Sequence, residues 1–523
     1  MKLKSININH YRSIRDVNIT FPQNKPIVLF GPNNSGKTNI LNAIERLLSE
    51  KYPTFIEMAQ GDYFKKDKDK YPTATIKACF DNNSYMNLVY GYDGDLTQNT
   101  FVDNNGKPIK VKSYDRKKCL SYMIDSDRNL GTIFNLSNPD SIINRFLAKI
   151  DEGFEIQDKE MMDKAYNLFK NAYANNKYFT GFLDNYTNTL NMSIKGFIHR
   201  LNAILTYNPQ KYINGLRFRI KENGIEYDAE ELGAGEKEII IMAFIKAYME
   251  LFKDENIVLI IEEPEKHLHP LAQKWLKEFI MDLCQSGIQV VLSTHSTSFI
   301  DVRYLDGLVR VYKENFETKA VQLTKEQLYD FCISSGVTRA EVTKDRILDY
   351  YETKIFSDQL NGLFAEKVIF VEGFTEYFAF PVYFKKINYS LPVNGIEMVV
   401  ARGKEAIPLM VRIYKAYGYK CFIICDCDNN LDKTNNTFKG ILPPLTLRKP
   451  YDTYILTDEC LAFKKDFETY FRKVCPSYAE TEKLLIYKYK LTSKQSIAKA
   501  VAEELKTYPE LIEKLPQVFE KMK

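Results

Sequence analysis

At 523 residues, 45% hydrophobic and 27% charged, the chain is long enough for two or three domains, each with its own core, and has the composition of a globular protein rather than a fibrous or disordered one. Its 72 basic and 68 acidic side chains leave a net charge of +4, so any nucleic-acid surface has to be a local patch. No signal-like apolar core opens MKLKSININHYR and no apolar run approaches the ~20 residues that span a bilayer, so a cytoplasmic protein with no membrane partner is expected; nine scattered cysteines without a C-x-x-C pair support neither a disulfide framework nor a zinc site.

Residues 2–21 alternate apolar and polar positions about a turn at 10–15, which predicts a β-hairpin. The buried-strand run Ile27–Phe30 then leads into GPNNSGKT, Gly31–Thr38, which satisfies G-x-x-x-x-G-K-[ST] at every fixed position, and Asn39–Leu48 carries the apolar face of a helix. Gly31 and Gly36 let the backbone of Asn34 and Ser35 turn its N–H groups toward phosphate oxygens, Lys37 adds a charge, and the Thr38 hydroxyl suits Mg²⁺. Lysines at 65, 66, 68 and 70 and the basic stretch 107–118 read as solvated loops before they read as DNA contacts. Residues 72–120 look strand-rich. Between 138 and 206 the apolar spacing becomes helical, with one face at Ile142, Ile143, Phe146, Leu147 and Ile150 and another at 161–173, predicting a helical insert suited to dimerisation or to internal packing.

Further on, ELGAGEK, residues 231–237, precedes an apolar helix at 239–252; the strand 257–261 delivers Glu262 and Glu263 and is followed by PEKHLHP; and the strand 289–292 ends in Ser293-Thr294-His295-Ser296. Three of the five histidines fall in these two loops. Residues 297–360 read as a helical, charged connection. A second α/β unit starts near 366: the strand 368–371 ends in Glu372-Gly373, with Phe374-Thr375-Glu376 opening a helix, and the strand 421–425 ends in Asp426-Cys427-Asp428. Alternate residues at a strand end project alike, so Asp426 and Asp428 are expected to face one point with Glu372. Carboxylates so crowded repel unless cations sit between them, and oxygen-rich sites suit Mg²⁺ or Mn²⁺. Basic and aromatic residues interleave from Lys483 to Lys494, which fits phosphate contact and base stacking as well as an amphipathic helix face.

The order GPNNSGKT, LGAGEK, IVLIIEEPEKHLHP, STHS resembles an ABC-type ATPase of the structural-maintenance and DNA-repair branch, and VEGFTE followed by DCD resembles a Toprim domain. Together they resemble the overcoming-lysogenisation-defect (OLD) family of ATP-linked nucleases, which includes the nuclease of Gabija-type phage defence. The resemblance implies an ABC head over 1–137 and 207–345, interrupted by the insert 138–206, then a linker 346–365 and a Toprim domain over 366–523. For ATP it implies Lys37 and Thr38 on phosphates and Mg²⁺, Glu262 in the Walker B place, Glu263 activating water, His295 sensing the γ-phosphate, and Gly233 and Gly235 in a signature loop that completes a second copy's site; glycine replaces the usual serine at 233. For the nuclease it implies two metal ions held by Glu372, Glu376, Asp426 and Asp428, with Asp466 and Glu468 of KKDFETYF as further ligands, and a charge-stabilising lysine, Lys494, with Lys499 as competitor. The expected partners are DNA, further copies of the chain as a dimer or dimer of dimers, and in some members a helicase-like protein or a reverse transcriptase with its non-coding RNA. A repair-type DNA-binding ATPase without nuclease activity is the alternative; topoisomerase chemistry would need a tyrosine on a DNA-gripping domain, for which no segment is large enough.

Overall fold

The computed structural model describes residues 1–49, 52–55, 57–92, 99–126, 143, 146, 176–194, 201–207, 216–222, 224–228, 231–251, 256–266, 268–339, 341–449 and 451–522. The chain divides into two units. The first comprises Met1–Leu29, Gly36–Phe299 and Lys313–Ala320; the second comprises Phe30–Ser35, Ile300–Tyr312 and Val321–Lys523. The predicted helical faces at 142, 147, 150 and 161–173 lie outside the described residues.

In the first unit β1 (Leu3–Tyr11) and β2 (Ile14–Thr20) form the predicted hairpin, Ile6 opposite Ile19 and Ile8 opposite Val17, because one face of each strand is apolar and fully buried. β3 (Ile27–Phe30) is followed by β4 (Ala74–Phe80), β5 (Tyr85–Tyr90), β6 (Asn99–Phe101) and β7 (Cys119–Ile124). The antiparallel strands run β6-β5-β4-β1-β2. β8 (Leu201–Tyr207), β9 (Leu216–Glu222) and β10 (Ile225–Asp228) make a small antiparallel sheet of their own, so the insert read as helical to 206 holds the helix Lys177–Ile194 but ends in a strand. β11 (Asn256–Glu262) and β12 (Gln289–Thr294) belong to a group ordered β3-β12-β11-β7, in which β11 pairs in parallel with both β12 and β7. Ile257–Ile261 are all buried, as a parallel strand covered on both faces requires. The helix Lys37–Leu48 buries Ile40, Leu41, Ile44, Leu47 and Leu48, the face the spacing predicts.

β13 (Leu308–Glu314) and β14 (Glu317–Gln322) lie inside the stretch read as a helical connection. The charges of VYKEN and ETKAVQ mask the strand pattern there; Asn315 and Phe316, both at positive φ, make the turn.

The second unit carries β15 (Lys367–Val371), β16 (Ile396–Val400), β17 (Lys420–Asp426), β18 (Tyr454–Leu456) and β19 (Cys460–Phe463) in a sheet ordered β16-β15-β17-β19-β18, parallel except for β18. The helices Phe374–Lys386, Phe467–Val474, Lys494–Glu504 and Glu510–Lys521 share its core, which includes Phe380, Phe422, Phe467, Val501 and Phe519. Among the described residues no helix is long and apolar enough to cross a membrane.

Candidate ATP site and acidic centre

Parallel strands bring side chains to their carboxyl ends, and each unit gathers its charged groups there. In the first unit the helix that starts at Lys37 has no side-chain cap, and its N-terminus is the end of the dipole that favours an anion. Gly36 lies at φ 110°, and a Cβ there would collide with the Thr318 hydroxyl; within the second unit Gly31, at φ 140°, leaves no room for a Cβ beside the Val311 carbonyl. Lys37 is buried, and burial pulls its pKa down to about 8 against the opposing pull of Glu263, Glu265 and Glu262. The Thr38 hydroxyl donates to Glu262 Oε1, so the phosphate-loop threonine and the Walker B acid are already paired. Glu263 sits just past β11 at φ 49°, its N–H donating to the Ser293 carbonyl at 2.9 Å, and its Oε1 lies 3.7 Å from His295 Nε2. Burial first, and Lys37 second, hold the His295 imidazole below its ordinary pKa.

Sequence reasoning missed Glu265. Its carboxylate accepts from Thr294 Oγ1 at 2.8 Å and from the His295 N–H, and so fixes the loop that carries the imidazole. Its position two residues beyond Glu263, in a Pro-turned loop, was the available signal. Gly233 and Gly235 stand at the start of the helix Ala234–Leu251, where the Gly233 N–H donates to Glu236 Oε2 at 3.0 Å.

In the second unit Glu372 follows β15, Asp426 ends β17, and Asp466 and Glu468 open the helix after β19. The Asp426 N–H points at Glu372 Oε2, 3.4 Å away, and the Phe467 N–H donates to Asp426 Oδ1 at 3.0 Å. Burial, then Glu376, Glu372, Glu468 and Asp466 in that order, drive the Asp426 carboxyl up to about 9; burial, with Glu372 and Glu468 beside it, brings Glu376 up to about 7. Glu372 is raised by burial while Lys404 pulls the other way. Asp466 is lowered, because its bonds to Thr469 outweigh burial.

Asp428 departs from the expectation. The strand stops at Asp426 and Asp428 adopts φ 52°, so strand alternation no longer aims it; it pairs instead with Lys404 at 2.6 Å while remaining close enough to raise Glu372. Lys404, in ARGKE after β16, is a cation that the sequence reading did not select. Lys494 opens its helix as predicted, with Nζ 3.1 Å from Glu468 Oε1, whereas Lys499 pairs with Glu503 and not with the carboxylates. Among the described residues no three carboxylate, imidazole or thiol groups are gathered to hold a metal ion as they stand. The reason is visible: Asp428, Glu468 and Asp466 are turned to Lys404, Lys494 and Thr469. The donor set nevertheless fits a hard divalent cation, being all oxygen, mutually repelling and half-buried.

Fold and sites define a phosphate-loop ATPase joined to a carboxylate-centred α/β domain. Residues 27–301 match the family described as an AAA domain, with AbiEii toxin of type IV TA systems, and residues 363–428 match the family described as the TOPRIM domain of overcoming lysogenization defect protein-like proteins. The chain belongs to this AAA-domain family, in the OLD group that joins such a domain to TOPRIM. It is 24% identical over 457 residues to the OLD nuclease of Thermus scotoductus, covering 82% of each chain. Against the Old nuclease of Escherichia phage P2 it is 25% identical, over 82% of this chain and 77% of that one, and against endonuclease GajA of Bacillus cereus 23%, over 76% and 70%.

Proposed function

We propose that the chain is a cytoplasmic, divalent-cation-dependent DNA endonuclease or nickase whose acidic centre is regulated by ATP at Lys37, acting in defence against phage. The carrying observation is the convergence of Glu372, Glu376, Asp426 and Glu468 at the carboxyl end of one sheet with Asp426 held near 9, a placement costly to the apoprotein and relieved by bound cations. The names of the relatives, nuclease and endonuclease, support hydrolysis of a phosphodiester over a purely binding role.

Mg²⁺ or Mn²⁺, when bound, supplies electrostatic stabilisation of the charge that develops on the scissile phosphate. Glu372, Glu376 and Asp426 would hold it, with Asp428, Asp466 and Glu468 available once their present partners release them. Lys494, 69% exposed at its side chain, stands at the rim where it can offset charge on a phosphate oxygen. In the ATP site the helix N-terminus and Lys37 take the phosphates, Thr38 and Glu262 lie together for the accompanying ion, Glu263 accepts a proton from attacking water and His295 lies beside it. Pairing of two heads through the loop at Gly233 and Gly235 belongs to the same reading.

The test is conversion of supercoiled plasmid with Mg²⁺ or Mn²⁺, with and without ATP, by wild type, Asp426→Ala and Lys37→Ala. Cutting by wild type that is lost in Asp426→Ala supports the proposal, and Lys37→Ala then gives the sign of nucleotide control. ATP hydrolysis with no cutting under any condition returns the chain to the repair-type ATPase alternative.

A further inference from the structure

The helix that begins beside Glu372 has two faces. Phe380, Tyr383 and Phe384 fill the core. Phe374 and Phe378 do not; each is 41% exposed, and at i,i+4 they stand one above the other with ring centroids 6.1 Å apart and planes 23° from parallel. Tyr377 braces them edge-on, 5.3 Å from Phe378 and 6.4 Å from Phe374. Packing gives no reason for exposed stacked rings on the first two turns after a metal-site glutamate.

Tyr377 and Phe378 also line a cavity of about 770 Å³, with Lys385 on the same helix, Lys499 on the neighbouring helix Lys494–Glu504 and one acid, Glu397, on the edge strand β16. These two helices pack along each other. Lys494 meets the carboxylates and Lys499 meets the cavity, five residues or ~7.5 Å further along the helix. A strand whose phosphate sits at the acidic centre would therefore find stacked rings next to it and a second lysine beyond, the combination that holds unpaired nucleotides: cations for the backbone and π faces for bases.

We propose that Phe374 and Phe378 are a stacking platform for unpaired bases flanking the cut phosphate, with the Lys499 cavity receiving the next nucleotide, so that the substrate is DNA with a single-stranded or extruded segment. That the flanked phosphate is cut rests on the nuclease reading; the binding experiment is independent of it.

A single strand and its fully paired duplex, each with one 2-aminopurine, are titrated with the full chain in EDTA, where nothing is cut. Quenching of the single-strand probe is expected, with about tenfold weaker binding for each of Phe374→Ala and Phe378→Ala, recovery in Phe374→Trp, and duplex binding within about twofold of wild type throughout. Unchanged single-strand binding overturns the proposal, as does an equal loss on both probes. A fall in oligomeric state in the same variants, read by light scattering, overturns it as well, since a second copy then covers the face. A circular-dichroism spectrum and thermal melt matching wild type confirm that the variants are folded. Failure of the wild type to cut plasmid in Mn²⁺ sinks the nuclease reading alone, and the quench still decides stacking.

Discussion

The two charged centres sit at equivalent places, the carboxyl ends of parallel strands, and solve opposite problems. Around Lys37 the chain supplies both signs: one buried ammonium faces Glu262, Glu263 and Glu265, and its pKa falls only to about 8. Around Asp426 the chain's cations, Lys404 and Lys494, are spent on the outer carboxylates, and the inner carboxyl rises to about 9. The first centre is complete enough to await an anion. The second is short of positive charge and gains most from a cation that the protein does not itself carry. Charge balance, more than motif identity, thus separates an anion site from a cation site.

The sharpest break of that comparison is a variant that silences one centre and spares the other. Asp426→Ala is expected to lower plasmid cutting by about a thousandfold and leave ATP hydrolysis within about twofold, while Lys37→Ala abolishes hydrolysis. One variant silencing both would mean that the centres are not separable. Next comes Lys494→Ala, expected to cost about a hundredfold in cutting with partial recovery in Lys494→Arg, measured as single-turnover nicking rates. A smaller effect concerns stability without metal. Asp426 has a folded pKa above its unfolded one, so between about 4 and 9 the folded state holds a proton that the unfolded state has lost, and stability falls as pH rises. Asp426→Asn should therefore stabilise the EDTA-treated protein by on the order of 2 kcal/mol at pH 7.5 and by less at pH 5, with Mg²⁺ raising Tm in wild type but not in the variant. Thermal melts at the two pH values check it. Smallest is the behaviour of Lys37: because it loses its proton near pH 8 in the free protein, ATP affinity should weaken by up to about tenfold per unit above that, and Lys37→Arg should flatten the curve. An equilibrium titration from pH 7 to 9 reads it.

Much of this was legible because glycine loops and buried strand ends have strong local signatures. GPNNSGKT, the strand before Glu262 and Glu263, and the strand before Asp426 all fold as their apolar runs require. Asp428 was misaimed because the end of a strand is a hydrogen-bonding fact that composition does not mark, and two residues past Asp426 the backbone is already left-handed. Lys404 was missed for a related reason: its loop follows β16, and nothing in ARGKE says that β16 pairs with β15. β13 and β14 were hidden by the charged side chains they carry, and Leu201–Tyr207 by the preceding helical rhythm, although Gly196 stands just past the helix Lys177–Ile194 and could have marked its end.

Asp466 holds the start of the helix Phe467–Val474, accepting the Thr469 N–H at 2.7 Å, and that helix turns Glu468 inward. One carboxylate is therefore both a scaffold part and a member of the charged cluster. A mutational scan that records only survival or activity will score Asp466 as doubly intolerant and credit the chemistry with damage done by a frayed helix. Asparagine caps a helix about as well as aspartate while carrying no charge, so the gap between the asparagine and alanine scores measures the scaffold share, and the gap between asparagine and wild type measures the rest.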